Sequence, residues 1–118
     1  MKKNILVADD NIEIVNTLSS TLSTIDNYVI DTAYSGLEIL EKIEDKEYDV
    51  LISDIDFGMG LDGIEVAEVI RESNHKIKII FFSAYEIENY EFLEDSLDTK
   101  FLKKPIESSL LIKLIENE

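Results

Sequence analysis

Apolar residues along this chain fall into two patterns. Short unbroken runs alternate with stretches in which hydrophobic residues recur every three or four positions. The first run is Asn4 to Ala8 (Asn-Ile-Leu-Val-Ala), and it stops at Asp9-Asp10. A run this short, closed by polar residues, predicts a strand buried on both faces. Asn11 suits a helix N-cap, and Ile14, Val15, Leu18, Leu22 and Ile25 then form one helical stripe. Tyr28 to Ala33, β-branched and aromatic, predicts a second strand. Ser35-Gly36-Leu37-Glu38 matches a capping box, with Leu37, Leu40 and Ile43 as the face of the helix it opens. Val50-Leu51-Ile52 is a third buried run, ending at Ser53-Asp54 and followed by a loop with Gly58 and Gly60. Asp62-Gly63-Ile64-Glu65 can cap the next helix, which carries Val66, Ala67, Val69 and Ile70. Ile77 to Phe82 is the strongest strand signal and ends in Ser83-Ala84. Glu86 to Leu97 is acidic, with Ile87, Tyr90 and Leu93 spaced to share a helix face. Phe101-Leu102 predicts a short fifth strand before Lys103-Lys104-Pro105, and Leu110, Leu111, Leu114 and Ile115 mark a last amphipathic helix.

Strand and helix alternate five times. That order predicts an α/β fold, a parallel sheet with helices on both faces joined by right-handed crossovers. In open sheets of this kind, ligands bind at the carboxyl ends of the strands. The residues that end the runs therefore share one edge: Asp9-Asp10, Asp54, Ser83 and Lys104.

Composition narrows what that edge can serve. With 118 residues, 45% of them hydrophobic, the chain has the size of one domain with one core. No apolar run approaches the roughly eighteen residues needed to span a bilayer. Too few apolar residues separate Met1-Lys2-Lys3 from Asp9 to make a signal-peptide core. There is no cysteine, which excludes disulfides and thiolate chemistry and fits a reducing cytoplasm. A formal net charge of −15 repels phosphate backbones and anionic lipid, so neither direct nucleic-acid binding nor membrane binding is expected. The same charge favours divalent cations and basic partner surfaces.

Carboxylates brought together at a sheet edge repel one another. At an effective dielectric near 20 and a separation of about 4 Å, each pair costs about 4 kcal/mol. A compensating cation or a shifted pKa relieves that cost. One or two carboxylates, waters and a substrate phosphate are the ligands Mg²⁺ prefers. Lys104 adds a fixed positive charge, and Ser83 a hydroxyl donor. A carboxylate nucleophile, a divalent metal, a lysine and a hydroxyl suit in-line phosphoryl transfer onto Asp54. Each residue alone has a plainer reading. Asp10 could cap a helix, Asp54 a turn, and Ser83 could be an ordinary strand-end hydroxyl. Lys104 could lie free on the surface, and Phe101 could simply fill the core. His75, between Asn74 and Lys76, reads as a solvated loop residue, and the acidic run from Glu86 to Asp98 as a solvated face or a docking surface for a basic partner.

Taken in order, these residues resemble the receiver domain of two-component response regulators, and the resemblance covers the whole chain, residues 1–118, as a single domain with no output domain. Asp9-Asp10 match the acidic pair after the first strand, and Asp54 the phosphoacceptor. Ser83-Ala84 match the Ser/Thr-Ala after the fourth strand, and Lys104-Pro105 the Lys-Pro after the fifth, whose peptide bond is usually cis. Phe101 stands where the family keeps a switch aromatic. Receivers are themselves an example of the flavodoxin-like strand order 2-1-3-4-5, a (βα)5 three-layer sandwich. The resemblance implies that Asp10 binds Mg²⁺ directly and Asp9 through water, with Asp54 and the backbone carbonyl of Asp56 as further ligands. Mn²⁺ is an alternative ion. A sensor histidine kinase or phosphotransfer protein would donate the phosphoryl group from a phosphohistidine. Aspartyl phosphate would then draw Ser83 inward and let Phe101 bury, shifting a two-state equilibrium read by an unknown target or output domain, or by a second copy in a phosphorylation-dependent homodimer. Reversing a 1:99 ratio in this way takes about 5.5 kcal/mol. The implied protein is a switch that slowly dephosphorylates itself, not an enzyme turning over an external substrate. The chain departs from the family pattern in four places, one of them a loop after Asp54 that is about one residue longer before Asp62-Gly63. Gly58 stands where a proline is usual, Asp56 where a neutral residue is commoner, and Leu97-Asp98-Thr99-Lys100 lacks the usual Gly-Ala.

Two other functions fit parts of the pattern. Asp54-Ile55-Asp56 resembles the Asp-x-Asp of haloacid-dehalogenase-type phosphatases, but there the motif follows the first strand and further acids follow the lysine. A receiver-like interaction module that signals without phosphate would have no need for Asp10, Asp54 and Lys104 together.

Overall fold

The computed structural model describes residues 2–73, 76–83 and 98–117. The strands are β1 (Lys3–Ala8), β2 (Tyr28–Ala33), β3 (Val50–Asp54), β4 (Lys78–Ser83) and β5 (Thr99–Lys103). Among the described residues the helices are α1 (Ile12–Ser23), α2 (Gly36–Asp45), α3 (Gly63–Glu72) and α4 (Ser108–Glu116). All five strands run parallel in one sheet of order β2-β1-β3-β4-β5, as expected. The predicted acidic helix from Glu86 to Leu97, together with His75 and Ala84, lies outside the described residues.

Alternation along the strands divides the core into two layers. Ile5, Val7, Val50, Ile52, Ile80 and Phe82 face α1 and α4, packing on Val15, Leu18, Leu22, Leu111 and Ile115. Leu6, Ala8, Leu51, Ile79 and Phe81 face α2 and α3, packing on Ile39, Ile43, Val66, Ala67 and Ile70. Both faces of β1, β3 and β4 are therefore covered, which is why those strands read as continuous apolar runs rather than as alternating ones. β5 lies at the sheet edge and alternates instead. Thr99 and Phe101 are buried while Lys100 and Lys103 are exposed. It extends beyond the predicted Phe101-Leu102 because backbone pairing with Ile79–Ser83 recruits polar residues as readily as apolar ones.

The helix faces are offset from the predicted stripes in places. Leu37 is 62% exposed, and Gly36, Ile39 and Ile43 form the buried side of α2. Val69 and Leu110 are also exposed. In each case an apolar residue at roughly helical spacing falls just off the side that meets the sheet. The helix starts follow their capping residues. The Asn11 side chain accepts from the backbone N–H of Glu13 and of Ile14. Asp62 and Glu65 form a full capping box, Glu65 N–H to Asp62 Oδ1 at 2.8 Å and Asp62 N–H to Glu65 Oε1 at 3.1 Å. At Ser35 only half of the predicted box forms, because the Glu38 carboxylate reaches one residue further back and accepts from the Tyr34 N–H at 2.6 Å.

Candidate functional site

Strand register decides which side chains meet. Ala8 pairs with Ser53, so one step beyond the ladder Asp9 stands level with Asp54. Asp54 in turn pairs with Phe82, and Ser83 with Lys103. The carboxyl ends of β1, β3, β4 and β5 thus bring Asp9, Asp54, Ser83 and Lys104 to one edge, as the alternation of elements predicted. Oxygens from the Asp9, Asp10 and Asp54 carboxylates lie within 4.8 Å of one another.

Asp9 is almost wholly buried, at 1% exposure, Asp54 is buried at 8%, and Asp10 is exposed. The Lys104 ammonium bridges two of the three, 3.4 Å from Asp9 Oδ2 and 3.3 Å from Asp54 Oδ2. Its Nζ lies over the Phe82 ring, 5.1 Å from the centroid. The Lys104 N–H donates to the Ser83 carbonyl at 2.8 Å, tying β5 to β4 at the edge, and the Lys104–Pro105 peptide is cis, as in the family pattern. Asp9 Oδ1 accepts from the Asn11 N–H at 3.0 Å, so the turn that starts α1 also orients the buried acid. Asp54 Oδ1 accepts weakly from the Asp56 N–H at 3.4 Å. Asp56 is exposed, and its carboxylate accepts from the Gly58 N–H at 2.8 Å, forming an Asx-type turn. Gly58 has a φ of +81°, and a Cβ there would lie 3.6 Å from Asp10 Oδ2. This turn occupies the place where the family usually has proline, and its left-handed residue is met by a glycine.

One lysine does not balance three carboxylates. The Asp10 carboxyl is held above its usual value, first by a side-chain hydrogen bond with Asp9, then by burial and by the charge on Asp9, with Lys104 acting in the opposite direction. A cluster of hard oxygen donors, closed on the Asp9 side and open at Asp10, fits a small divalent cation that keeps part of its water shell. Ser83 is buried at the end of β4. Phe101 is also buried, and its ring lies 5.5 Å from that of Phe81. Two contributors were not apparent in the sequence. The Asn11 N–H that orients Asp9 is a main-chain group, and the Phe82 ring under Lys104 was read only as the end of a strand run, although its place next to Ser83 put it at the same edge.

A sheet of this order with an acidic cluster facing a lysine at its carboxyl edge is a flavodoxin-like α/β domain whose pocket fits a phosphoacceptor role. The profile of the response regulator receiver domain matches residues 5–116, and the chain belongs to that family, the receiver domains of two-component signal transduction. It is 28% identical over 90 residues to the transcriptional regulatory protein ComA of Bacillus subtilis, covering 75% of this chain and 42% of ComA. It is 27% identical over 118 residues to the CAI-1 autoinducer sensor kinase/phosphatase CqsS of Vibrio cholerae, covering 97% of this chain and 17% of CqsS. The chain thus spans less than half the length of these relatives. Among solved structures it resembles the response regulator protein TrrA of Thermotoga maritima, in complex with Mg(2+)-BeF, with TM-score 0.79 and 34% identity over 95% of this chain and 98% of that one. Membership in this family does not favour the phosphatase reading. No helix among the described residues is long and apolar enough to cross a membrane.

Proposed function

We propose that residues 1–118 act as a single receiver domain in which Asp54 is the phosphoacceptor. The observation that carries this reading is the Lys104 ammonium shared between buried Asp9 and Asp54, at 3.4 and 3.3 Å, beside a third carboxylate. An oxygen of the Asp54 carboxylate attacks the phosphorus of a phosphohistidine on a sensor kinase or phosphotransfer protein. The P–N bond breaks and the imidazole leaves, giving an aspartyl phosphate. Lys104, already beside Asp54, neutralises one of the incoming oxygens, and the Ser83 hydroxyl takes another. Mg²⁺ suits the site formed by Asp9, Asp10, Asp54 and the Asp56 carbonyl, and when bound it supplies charge neutralisation for the transferring group. Mn²⁺ satisfies the same donors. Binding of Ser83 to the phosphate would change the packing of the β4 end, next to the Phe81–Phe101 pair, and Phe101 reports that change as the switch aromatic.

The chain works as a signalling switch in the cytoplasm and not as a turnover enzyme. Its partners are a phosphohistidine donor and a target that reads the phosphorylated form, with a phosphorylation-dependent homodimer as one form of readout. The test is incubation with a small-molecule phosphodonor and Mg²⁺, followed by the mass of the intact protein. One added phosphoryl group is expected, lost when Mg²⁺ is chelated and absent in Asp54→Asn. Phosphorylation of Asp54→Asn at the wild-type rate would overturn the assignment.

A further inference from the structure

Gly63 is the first residue of α3, and its backbone shows no need for glycine. Its φ is not in the left-handed region, and alanine is the better helix former. The space around it is what excludes a side chain. A Cβ at Gly63 would lie 2.7 Å from the Asp54 carbonyl oxygen, 2.9 Å from the Ile55 Cα and 2.8 Å from a ring carbon of Phe81. Two of these three atoms are main chain, so they cannot rotate away. The helix cannot easily withdraw either. Gly63 N–H donates to the Ile55 carbonyl at 2.6 Å, and the Asp62–Glu65 capping box fixes the same turn. The start of α3 therefore rests directly on the peptide that carries Asp54.

We propose that Gly63 is a positioning residue for phosphoryl transfer: lacking a side chain, it lets α3 seat on the Asp54 main chain and so fixes the direction of the carboxylate toward Lys104 and the neighbouring acids. The inference rests on Asp54 being the phosphoacceptor. The same contact has a second consequence. Phe81, whose ring lies where a Gly63 side chain would go, forms a tilted pair with Phe101 at a centroid distance of 5.5 Å. A displacement of Asp54 is thus passed through one ring to the predicted switch aromatic by packed contacts alone.

The test compares Gly63→Ala with Leu22→Ala, a core substitution in the layer on the other side of the sheet. Both lower the melting temperature. Initial rates of phosphorylation by a small-molecule phosphodonor at saturating Mg²⁺ are measured where both variants are folded. Gly63→Ala is expected to be slower by about tenfold or more, since misplacing a reacting group by a fraction of an ångström has effects of that order. Leu22→Ala should react close to the wild-type rate. Equal rates in the two variants would overturn the proposal. If Gly63→Ala does not fold, the double variant Gly63→Ala/Phe81→Leu takes its place, since it removes the ring contact and keeps the one to the Asp54 carbonyl. It should fold and react slowly, and a normal rate would again overturn the proposal. Failure of both to fold would make the glycine a requirement of folding rather than of the reaction, and would overturn it too. Wild type run in parallel separates the two levels. If it takes no phosphoryl group, the functional reading fails, whereas a labelled wild type with an equally fast Gly63→Ala removes only the positioning role.

Discussion

The two ends of the sheet handle charge in opposite ways. At the amino end the cations are matched. Lys3 Nζ donates to the Ile115 carbonyl at 3.3 Å and pairs with Glu116 at 3.5 Å. Lys78 Nζ donates to the carbonyls of Leu114 at 2.9 Å and Ile115 at 3.2 Å, and also to that of Asn117. These carbonyls close α4, where unpaired acceptors and the helix dipole both favour a cation. On the flank, Asp31 accepts from Lys46 at 2.9 Å and from the Tyr48 hydroxyl at 2.7 Å. At the carboxyl end, three carboxylates gather beside one ammonium, which pairs with Asp9 and Asp54. The matched end fastens the last helix to the sheet. The unmatched end holds repulsion that a bound cation or a transferred phosphoryl group can change, and that leaves it free to respond to a signal.

Removing Lys104 should disturb this contrast most. Lys104→Ala leaves the buried Asp9 carboxylate and Asp54 without their shared partner. Breaking a buried pair is strongly destabilising, but Lys104 is partly exposed, so about 2 kcal/mol is expected. For a domain of this size that is a fall of roughly 10 °C in melting temperature. Millimolar Mg²⁺ should then raise the melting temperature of Lys104→Ala by more than it raises that of wild type, because a ligand of the folded state stabilises in proportion to its occupancy. An equal Mg²⁺ response in both proteins would mean that Lys104 and the cation do not act on the same acids.

A change on the matched flank should be smaller and indifferent to metal. Asp31→Asn weakens the contacts to Lys46 and Tyr48, and hydrogen bonds to a charged acceptor of this kind suggest a loss of about 1 kcal/mol. The Tyr48 hydroxyl and then Lys46 hold the Asp31 carboxyl below its usual value, against the effect of burial. Its contribution is therefore present above the unfolded-state value of 3.8 and disappears as the pH falls through the lowered folded value. Acid unfolding followed by circular dichroism should show wild type and Asp31→Asn converging in stability at the acid end, with Mg²⁺ leaving their difference at neutral pH unchanged.

The sequence carried the site more fully than it carried the surfaces around it. Asp9, Asp54, Ser83 and Lys104 could be placed together because strands buried on both faces are continuous apolar runs, and each run ends where a polar residue interrupts it. Strand order then needed only the alternation of elements and the family resemblance. Leu37 and Val69 were harder, because helical spacing gives the period of a stripe but not the rotation of the helix against its sheet. The space at Gly63 could not be read at all. Its crowding comes from the Asp54 carbonyl, the Ile55 Cα and the Phe81 ring, three contacts that exist only once α3 is seated. In the sequence, Gly63 is one more small residue beside a cap.

The smallest expected effect has the opposite sign. Asp10 is exposed, and its carboxyl is held above its usual value by the hydrogen bond with Asp9, by burial and by the Asp9 charge. A carboxyl with a raised folded-state value favours the folded protein while it is protonated. That contribution is fully present below 3.8 and is lost as the pH rises through the folded value, so at neutral pH an ionised Asp10 is a net cost. Asp10→Asn removes the charge and keeps the shape. Without added metal it should therefore be more stable than wild type at neutral pH, by about 0.5 kcal/mol once solvent screening is allowed for. The difference should shrink as the pH is lowered toward 3.8, the reverse of the behaviour at Asp31. Adding Mg²⁺ should invert the ranking, since wild type gains a ligand that Asp10→Asn binds more weakly. Thermal melts of the two proteins at neutral and acid pH, with and without Mg²⁺, measure all three signs. A variant that is less stable than wild type in chelator at neutral pH would show that the acidic edge is not under electrostatic repulsion.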